Sequence, residues 1–321
     1  MKIKFLILAL LGLVTFFGTG VQAAKWPTKP VRIIVSFPPG GSSDLVARLL
    51  SKHLTDKFGE QFVVANKPGA GGTVAAVALK REKGDGHVFM LSNLAPYSIA
   101  PTLFRKLPYD ALKDFTHVSY IGTVYLGLFV SPKLGVKTLD EFVKKAKAEP
   151  GKLDFGSSGV GSWSNVMGFQ FNKLSKIDLV SIPYKGSRPM RQDFMGGVIP
   201  IMFDALPQNI PGIKAGTTVA LAISAPSRTK SNPNLKTFKE QGYNIVAENW
   251  LGLTAPAGLD PSVASRIDAA LAEIVKLPSV QEKFGFWGLV HKRKTTKEFQ
   301  AYVADQIEKW RPLIMSSGAK K

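Results

Sequence analysis

The residues best placed to do chemistry are two glycine-rich turns. The first is Phe37-Pro38-Pro39-Gly40-Gly41-Ser42-Ser43-Asp44, and the second is Asn66-Lys67-Pro68-Gly69-Ala70-Gly71-Gly72-Thr73. Each follows an apolar run, Val31 to Val35 or Phe62 to Val64, and each precedes a helical pattern. A turn of this kind leaves backbone N–H groups free at the positive end of a helix, which is an anion site. The competing reading is tight strand-to-helix packing, with Ser42 or Ser43 as N-cap. Asp44 falls in the first helical turn, where it suits the dipole but repels an anion. It either binds a ligand amine or braces the loop.

A second set of polar groups lies further along. The turn Gly156 to Ser162 offers the hydroxyls of Ser157, Ser158 and Ser162 to a ligand oxygen, or is simply a polar loop. Trp163 beside it is either core or an aromatic cleft wall. Tyr184-Lys185-Gly186-Ser187 opens another helix. Asp204 ends an apolar strand, where it either accepts from a ligand hydroxyl or amine or caps the next turn. Asn93, just past the third strand, joins these candidates.

Catalytic signatures are absent. There is no G-x-x-x-x-G-K-[ST] loop, no complete G-x-G-x-x-G after a strand and no G-x-S-x-G elbow. His53, His87, His117 and His291 are isolated, with no metal-ligand spacing, and read as surface or packing residues. The chain has no cysteine, which excludes disulfides, thiol catalysis and cysteine-bound metal. No metal and no cofactor is expected.

The elements that must position these groups alternate. Val31 to Ser36, Gln61 to Ala65 and His87 to Leu91 read as strands. Between them, Val46, Leu50, Leu54 and Phe58 mark one helix face, and Thr73 to Lys83 reads as a second helix. This order implies a parallel sheet covered by helices. Pro96 to Leu112 is rich in turn residues, and Val118 to Val130 is a long apolar strand. A second α/β unit follows, with helices over Thr138 to Ala148 and Trp163 to Lys173. Its strands are Leu153 to Phe155, Leu179 to Ile182, Ile199 to Phe203 and Val219 to Ser224. Trp250 to Leu253 is a last strand, and two helices, Pro261 to Val275 and Thr296 to Met315, close the chain by packing on the first unit. The expected fold is α/β and two-lobed, each lobe a mixed, mostly parallel sheet flanked by helices. All four turns then meet at the carboxyl ends of strands, around one cleft.

Lys2 and Lys4, the apolar stretch Phe5 to Phe17 and the small residues of Val21-Gln22-Ala23 read as a signal peptide cleaved after Ala23. The mature chain is expected to be a soluble, exported, periplasmic monomer. Its formal charge is +19, less the two of Lys2 and Lys4, leaving +17. The lysines are scattered and form no nucleic-acid motif, so the basic surface points to small anions or anionic lipid headgroups, not to DNA or RNA.

Taken together, Trp26-Pro27 with Pro30-Val31 and Ile33, the Phe37–Asp44 and Asn66–Gly72 turns, Pro183-Tyr184-Lys185-Gly186, Met202-Phe203-Asp204 and Ala255-Pro256-Ala257-Gly258 resemble the periplasmic substrate-binding proteins of tripartite tricarboxylate transporters, the Bug family. The resemblance implies a type II periplasmic-binding fold that closes on a carboxylate. The ligand would be a di- or tricarboxylate, an amino acid or an aromatic acid, passed to membrane permease subunits or a sensor. It implies that Phe37, Pro39, Gly40, Gly41 and their neighbours grip the carboxylate with Gly69, Ala70, Gly71 and Gly72, and that the second lobe covers its distal end. Lobe one is expected to comprise residues 24–125 and 249–321, and lobe two residues 126–248. Arg188 and Arg191 depart from the family pattern. They read first as helix surface charges and otherwise as partners for a second carboxylate. Trp163 also departs, either narrowing the cleft or stacking on an aromatic acid. The alternative function is a secreted hydrolase or transferase that pairs Lys185 with Ser157, Ser158 or Ser162.

Overall fold

A computed structural model describes residues 26–229 and 232–316. The signal-peptide reading of residues 1–23 lies outside them. Val31–Val35 (β1) is almost wholly buried and pairs in parallel with Phe62–Asn66 (β2) and Val88–Asn93 (β3). The helix Ser42–Phe58 (α1) follows β1 and turns Val46, Leu50 and Leu54 inward at a spacing of four, each no more than 1% exposed. Thr73–Lys80 (α2) is shorter than the sequence pattern suggests, since Arg81 already caps it.

The first part of the turn-rich stretch after β3 is helical, while the rest, from Phe104 to Asp114, is made of turns as expected. A π turn over Ala95–Ile99 runs into Ala100–Leu103 (α3). Both prolines sit near the start of these short helices, where a missing N–H costs nothing. Their turn character hid the helix.

The apolar run then forms one 16-residue strand, Phe115–Val130 (β4). It belongs to both sheets. Phe115 to Tyr125 pairs antiparallel with Glu248–Pro256 (β9), which also borders β3. From Leu126 onward β4 pairs with Ile201–Ala205 (β7) and with Val219–Ile223 (β8). The second sheet continues through Leu153–Ser157 (β5) to Leu179–Pro183 (β6), in parallel. The mixed sheets expected from the sequence are therefore present, with parallel pairing among the outer strands and antiparallel pairing where the chain passes between lobes.

Helices cover the second sheet: Leu139–Ala148 (α4) with a Thr138–Glu141 capping box, Trp163–Ser175 (α5), Ser187–Gly196 (α6) and Leu206–Lys214 (α7). The chain closes with three helices, not two. Pro278–Phe286 (α9) lies between Pro261–Ile274 (α8) and Thr296–Ser316 (α10), and it buries only Val280 and Phe284. So weak an apolar stripe is easily missed. α8 packs on α1 and β4, and α10 packs on β4, α3 and the π turn while also touching α5. Under α10, Trp250, Tyr97 and His117 pack with Phe299 of that helix in an aromatic core of edge-to-face contacts and one tilted pair, Tyr97 with Trp250.

Candidate functional site

The two walls of the cleft touch. Gly71 has φ +62°, and a Cβ built there would lie 3.1 Å from the carbonyl oxygen of Gly161 across the cleft. Gly186 has φ +118°, and its Cβ would come within 2.9 Å of the Pro38 ring. Both positions need glycine twice over, for backbone conformation and for close approach. The lobes therefore stand closed on each other.

Two joined chambers remain between them. The inner one, about 60 Å³, is lined by Phe37, Gly41, Ser42, Ser43, Asn93 and Asn249 on one side. Ser158, Trp163, Ser164, Ser187, Arg188 and Asp204 line the other. The outer chamber, about 480 Å³, lies between Pro68 to Gly72 and the segments Ser158 to Val160 and Pro183 to Gly186. Phe37, Pro38 and Ser158 belong to both.

The lobe-one wall is mostly main chain. α1 begins at Gly41, whose residue offers no side-chain cap. The Leu45 N–H returns to the Gly41 carbonyl. With its amide oxygen toward α1, Gln208 accepts from the Ser42 N–H at 2.8 Å. That leaves the N–H of Ser43, which lines the inner chamber, for an anion. Asp44 itself is turned away. Its carboxylate accepts from the Gly40 N–H at 3.0 Å, from Arg48 Nε at 3.0 Å and from Asn66 Nδ2 at 2.9 Å. Asn66 Nδ2 also donates to the Phe37 carbonyl at 2.9 Å. Burial would raise the Asp44 pKa, but these donors overcome it and hold the carboxyl below its ordinary value. Asp44 thus braces the loop, the second of the two roles its position allowed. Asn93 is likewise occupied, donating to Ser36 Oγ at 2.8 Å and accepting from the Ala95 N–H at 3.1 Å.

The lobe-two wall is mostly side chains, carried on helix starts. Trp163 opens α5 and is 6% exposed, and its indole N–H is buried without a partner. Asp204, 2% exposed, accepts from Asn209 Nδ2 at 3.0 Å and faces Arg191 Nε at 3.8 Å. Burial pushes its carboxyl up, against the pull of Arg191, Asn209 and Ser187. Arg191 donates onward to the Gly40 carbonyl at 3.4 Å and the Gln208 carbonyl at 3.3 Å. It is therefore an inward-facing link between lobes, which corrects its reading as a surface charge. Arg188 is exposed at the rim, yet it lines the inner chamber and its stem lies against Gly40. Among the described residues Arg188 and Lys185 make no ion pair. The Tyr184 hydroxyl is spent on Asp193 at 2.9 Å; burial first, then Asp193, pushes it up to about 12.

Of the candidates named from sequence, Pro39, Gly40, Asp44, Ser157 and Ser162 line neither chamber. Ser157 is wholly buried beneath Asn165, and Ser162 is the N-cap of α5. The chambers instead take in Pro38, Ala95, Leu126, Ser164, Asn249, Gly159 and Val160, which sequence reading passed over. Pro38, Gly159 and Ser164 each adjoin a residue that was named, and only the fold decides which side of a turn faces inward. The histidines line neither chamber: His117 is fully buried between Thr254 and the Ala111 carbonyl, at 2.9 Å from each. No cluster of three or more possible metal ligands occurs among the described residues.

A closed cleft between two α/β lobes, approached by helix N-termini, defines a two-lobed periplasmic binding protein. Comparison with known families makes this specific: the tripartite tricarboxylate transporter family receptor matches residues 46–319, and the chain belongs to that family. It is 34% identical to Protein BugT of Bordetella pertussis over 302 residues, spanning 94% of this chain and 93% of that one. A Rhodopseudomonas palustris protein solved with adipate superimposes with a TM-score of 0.88 at 27% identity, covering 91% of this chain and 98% of that one. The MatC protein of the same organism, with bound malate, gives 0.85 at 27%, covering 90% and 100%. No helix of the described residues is long and apolar enough to cross a membrane.

Proposed function

We propose that this receptor captures a small organic carboxylate outside the cytoplasm by lobe closure and presents it to the permease subunits of a tripartite tricarboxylate-type transporter. The observation that carries this reading is the start of α1. Its N–H groups face a chamber between the lobes, and the one carboxylate in its first turn, Asp44, is tied back to Gly40, Arg48 and Asn66. Adipate and malate in the similar proteins are ligands of the same chemistry.

In this reading residues 1–23 are an export signal cut after Ala23, and the mature chain works as a monomer. Residues 24–125 and 249–321 form lobe one, and residues 126–248 form lobe two. The switch of β4 from β9 to β7 between Tyr125 and Leu126 supports that boundary. The cleft binds and does not turn over its ligand. In support, no hydrogen bond joins Lys185 to Ser157, Ser158 or Ser162 among the described residues, so no activated serine is set up. Calorimetry against mono-, di- and tricarboxylates tests the proposal. Saturable, stoichiometric binding without product is expected, and the absence of heat or thermal shift across the panel would overturn it.

A further inference from the structure

Arg191 and Gln208 line neither chamber, yet both reach across the cleft to the first glycine turn. Arg191 stands on α6 and donates from Nη2 to the Gly40 carbonyl at 3.4 Å. Gln208 stands on α7. With its amide oxygen toward α1 it accepts from the Ser42 N–H at 2.8 Å, and its amide nitrogen donates to the Ala205 carbonyl at 3.2 Å. The two residues are also joined to each other, because Arg191 Nη1 donates to the Gln208 main-chain carbonyl at 3.3 Å. One linked pair of side chains thus holds a carbonyl and an N–H of the same turn.

The groups they hold are fixed from their own side. The Gly40 N–H donates to Asp44 Oδ2 at 3.0 Å, and Ser42 is the first residue of α1. A Cβ built on Gly40 would lie 3.7 Å from Arg188 Cδ, so α6 packs against this turn as well as bonding to it. Asp204 does not consume the guanidinium. Arg191 Nε stands 3.8 Å from that carboxylate and has no hydrogen-bond partner among the described residues, so the bonds of Arg191 go to the two carbonyls. Hydrogen bonds from a charged donor are among the stronger ones. None of these bonds includes a ligand atom. They favour the closed form whether or not an acid is bound, and a contact made in one form only shifts the balance by its own free energy. An acid that binds the closed form gains apparent affinity in proportion to the closed fraction.

We propose that Arg191 and Gln208 form a ligand-independent latch between the lobes, which sets the closed fraction of the receptor and so scales its affinity for every acid alike. Both are positioning residues: they act through the first glycine turn and touch neither chamber. The inference rests on the lobe-closure reading above and adds the groups that set the closing equilibrium. Arg191 is one of the positions where the chain departs from its family's pattern, so the latch is not part of that pattern.

The test combines calorimetry with adipate and malate and small-angle scattering of the purified protein, with and without acid. Arg191→Met keeps the stem and removes the donors, and Gln208→Leu keeps the bulk and removes the acceptor. Each should weaken both acids by about tenfold and leave the ratio of the two affinities unchanged. Each should also enlarge the radius of gyration of the acid-free protein, with saturating acid returning it to the value of the unaltered protein. A role confined to the packing of lobe two would not move the acid-free scattering. Asp204→Asn separates the latch from simple neutralisation of a buried charge: in that background Arg191→Met should still cost about tenfold. A loss that vanishes there overturns the inference and leaves the carboxylate reading intact. So do affinity and scattering unchanged in both single variants. If no carboxylate binds at all, the carboxylate reading falls, and the acid-free scattering still decides the latch. Should Arg191→Met fail to fold, Gln208→Leu decides by the same two measurements.

Discussion

The two walls of the cleft are made of different material. Lobe one offers backbone: two glycine turns and the open start of α1, held in shape by Asp44, Arg48 and Asn66 from behind. Lobe two offers side chains, with Trp163, Asp204 and Arg188 on the inner chamber and Lys185 on the outer. Backbone N–H groups are the same in every residue, so a wall built from them recognises an anion without regard to the rest of the molecule. Side chains differ, so the wall built from them can tell one acid from another. In the proposed reading, capture and discrimination are thereby separated onto the two walls of the cleft.

Blocking closure breaks this comparison most severely. Gly71→Val forces a β-branched residue to φ +62° and sets its Cβ 3.1 Å from Gly161. Affinity for every acid should fall by on the order of 100-fold. Gly59→Val is the control: it bears similar backbone strain at φ +75° but has nothing within 4 Å. It should lower the melting temperature without changing affinity. If the two variants bind equally well, the contact at Gly71 does not govern closure.

Acidity should act on the scaffold, away from the walls. Burial lowers the His117 pKa from 6.5 to about 4. Between those values the unfolded chain binds the extra proton, so stability rises with pH there. The contribution is fully present above about 6.5 and is lost as pH falls toward 4, by on the order of 2–3 kcal/mol. Chemical denaturation at pH 7 and pH 4.5 should show that loss, and a His117→Gln variant should show a smaller pH dependence. An equally steep profile in the variant would assign the effect elsewhere.

A smaller loss should follow from loosening the backbone wall. Asp44→Ala removes the acceptor shared by Gly40, Arg48 and Asn66, costing about 2 kcal/mol of stability. Affinity for diacids and monoacids should drop together, by about tenfold, with their ratio unchanged. A changed ratio would mean that lobe one also discriminates. The smallest effect is expected from Lys185→Ala. Lys185 is exposed on the outer chamber, and an exposed charge contributes little, so affinity should shift less than about threefold at physiological salt.

Much of the fold was legible. The spacing of Val46, Leu50 and Leu54, the glycine turns and the apolar runs of the strands each follow from local periodicity, which the structure keeps. What failed to show was local too: α9 has too narrow an apolar stripe, and the prolines around Ala95 to Leu103 resemble turns until they are seen at helix starts. The site was legible as a set of turns. It was not legible residue by residue, because Ser157 and Ser158 are chain neighbours in one strand-end turn, yet one is buried behind the wall and the other lines it.

The sequence by itself determined the strand-to-helix turns that bare backbone N–H groups, the absence of thiol chemistry and the resemblance to a receptor family, because each rests on residues adjacent in the chain. Only the tertiary structure decided that Asp44 braces its loop, that Arg191 faces inward to Asp204, and that among the described residues Arg188 makes no ion pair and the indole N–H of Trp163 has no acceptor. Those outcomes depend on which groups from distant segments compete for the same partner, and that competition exists only once the two lobes are folded against each other.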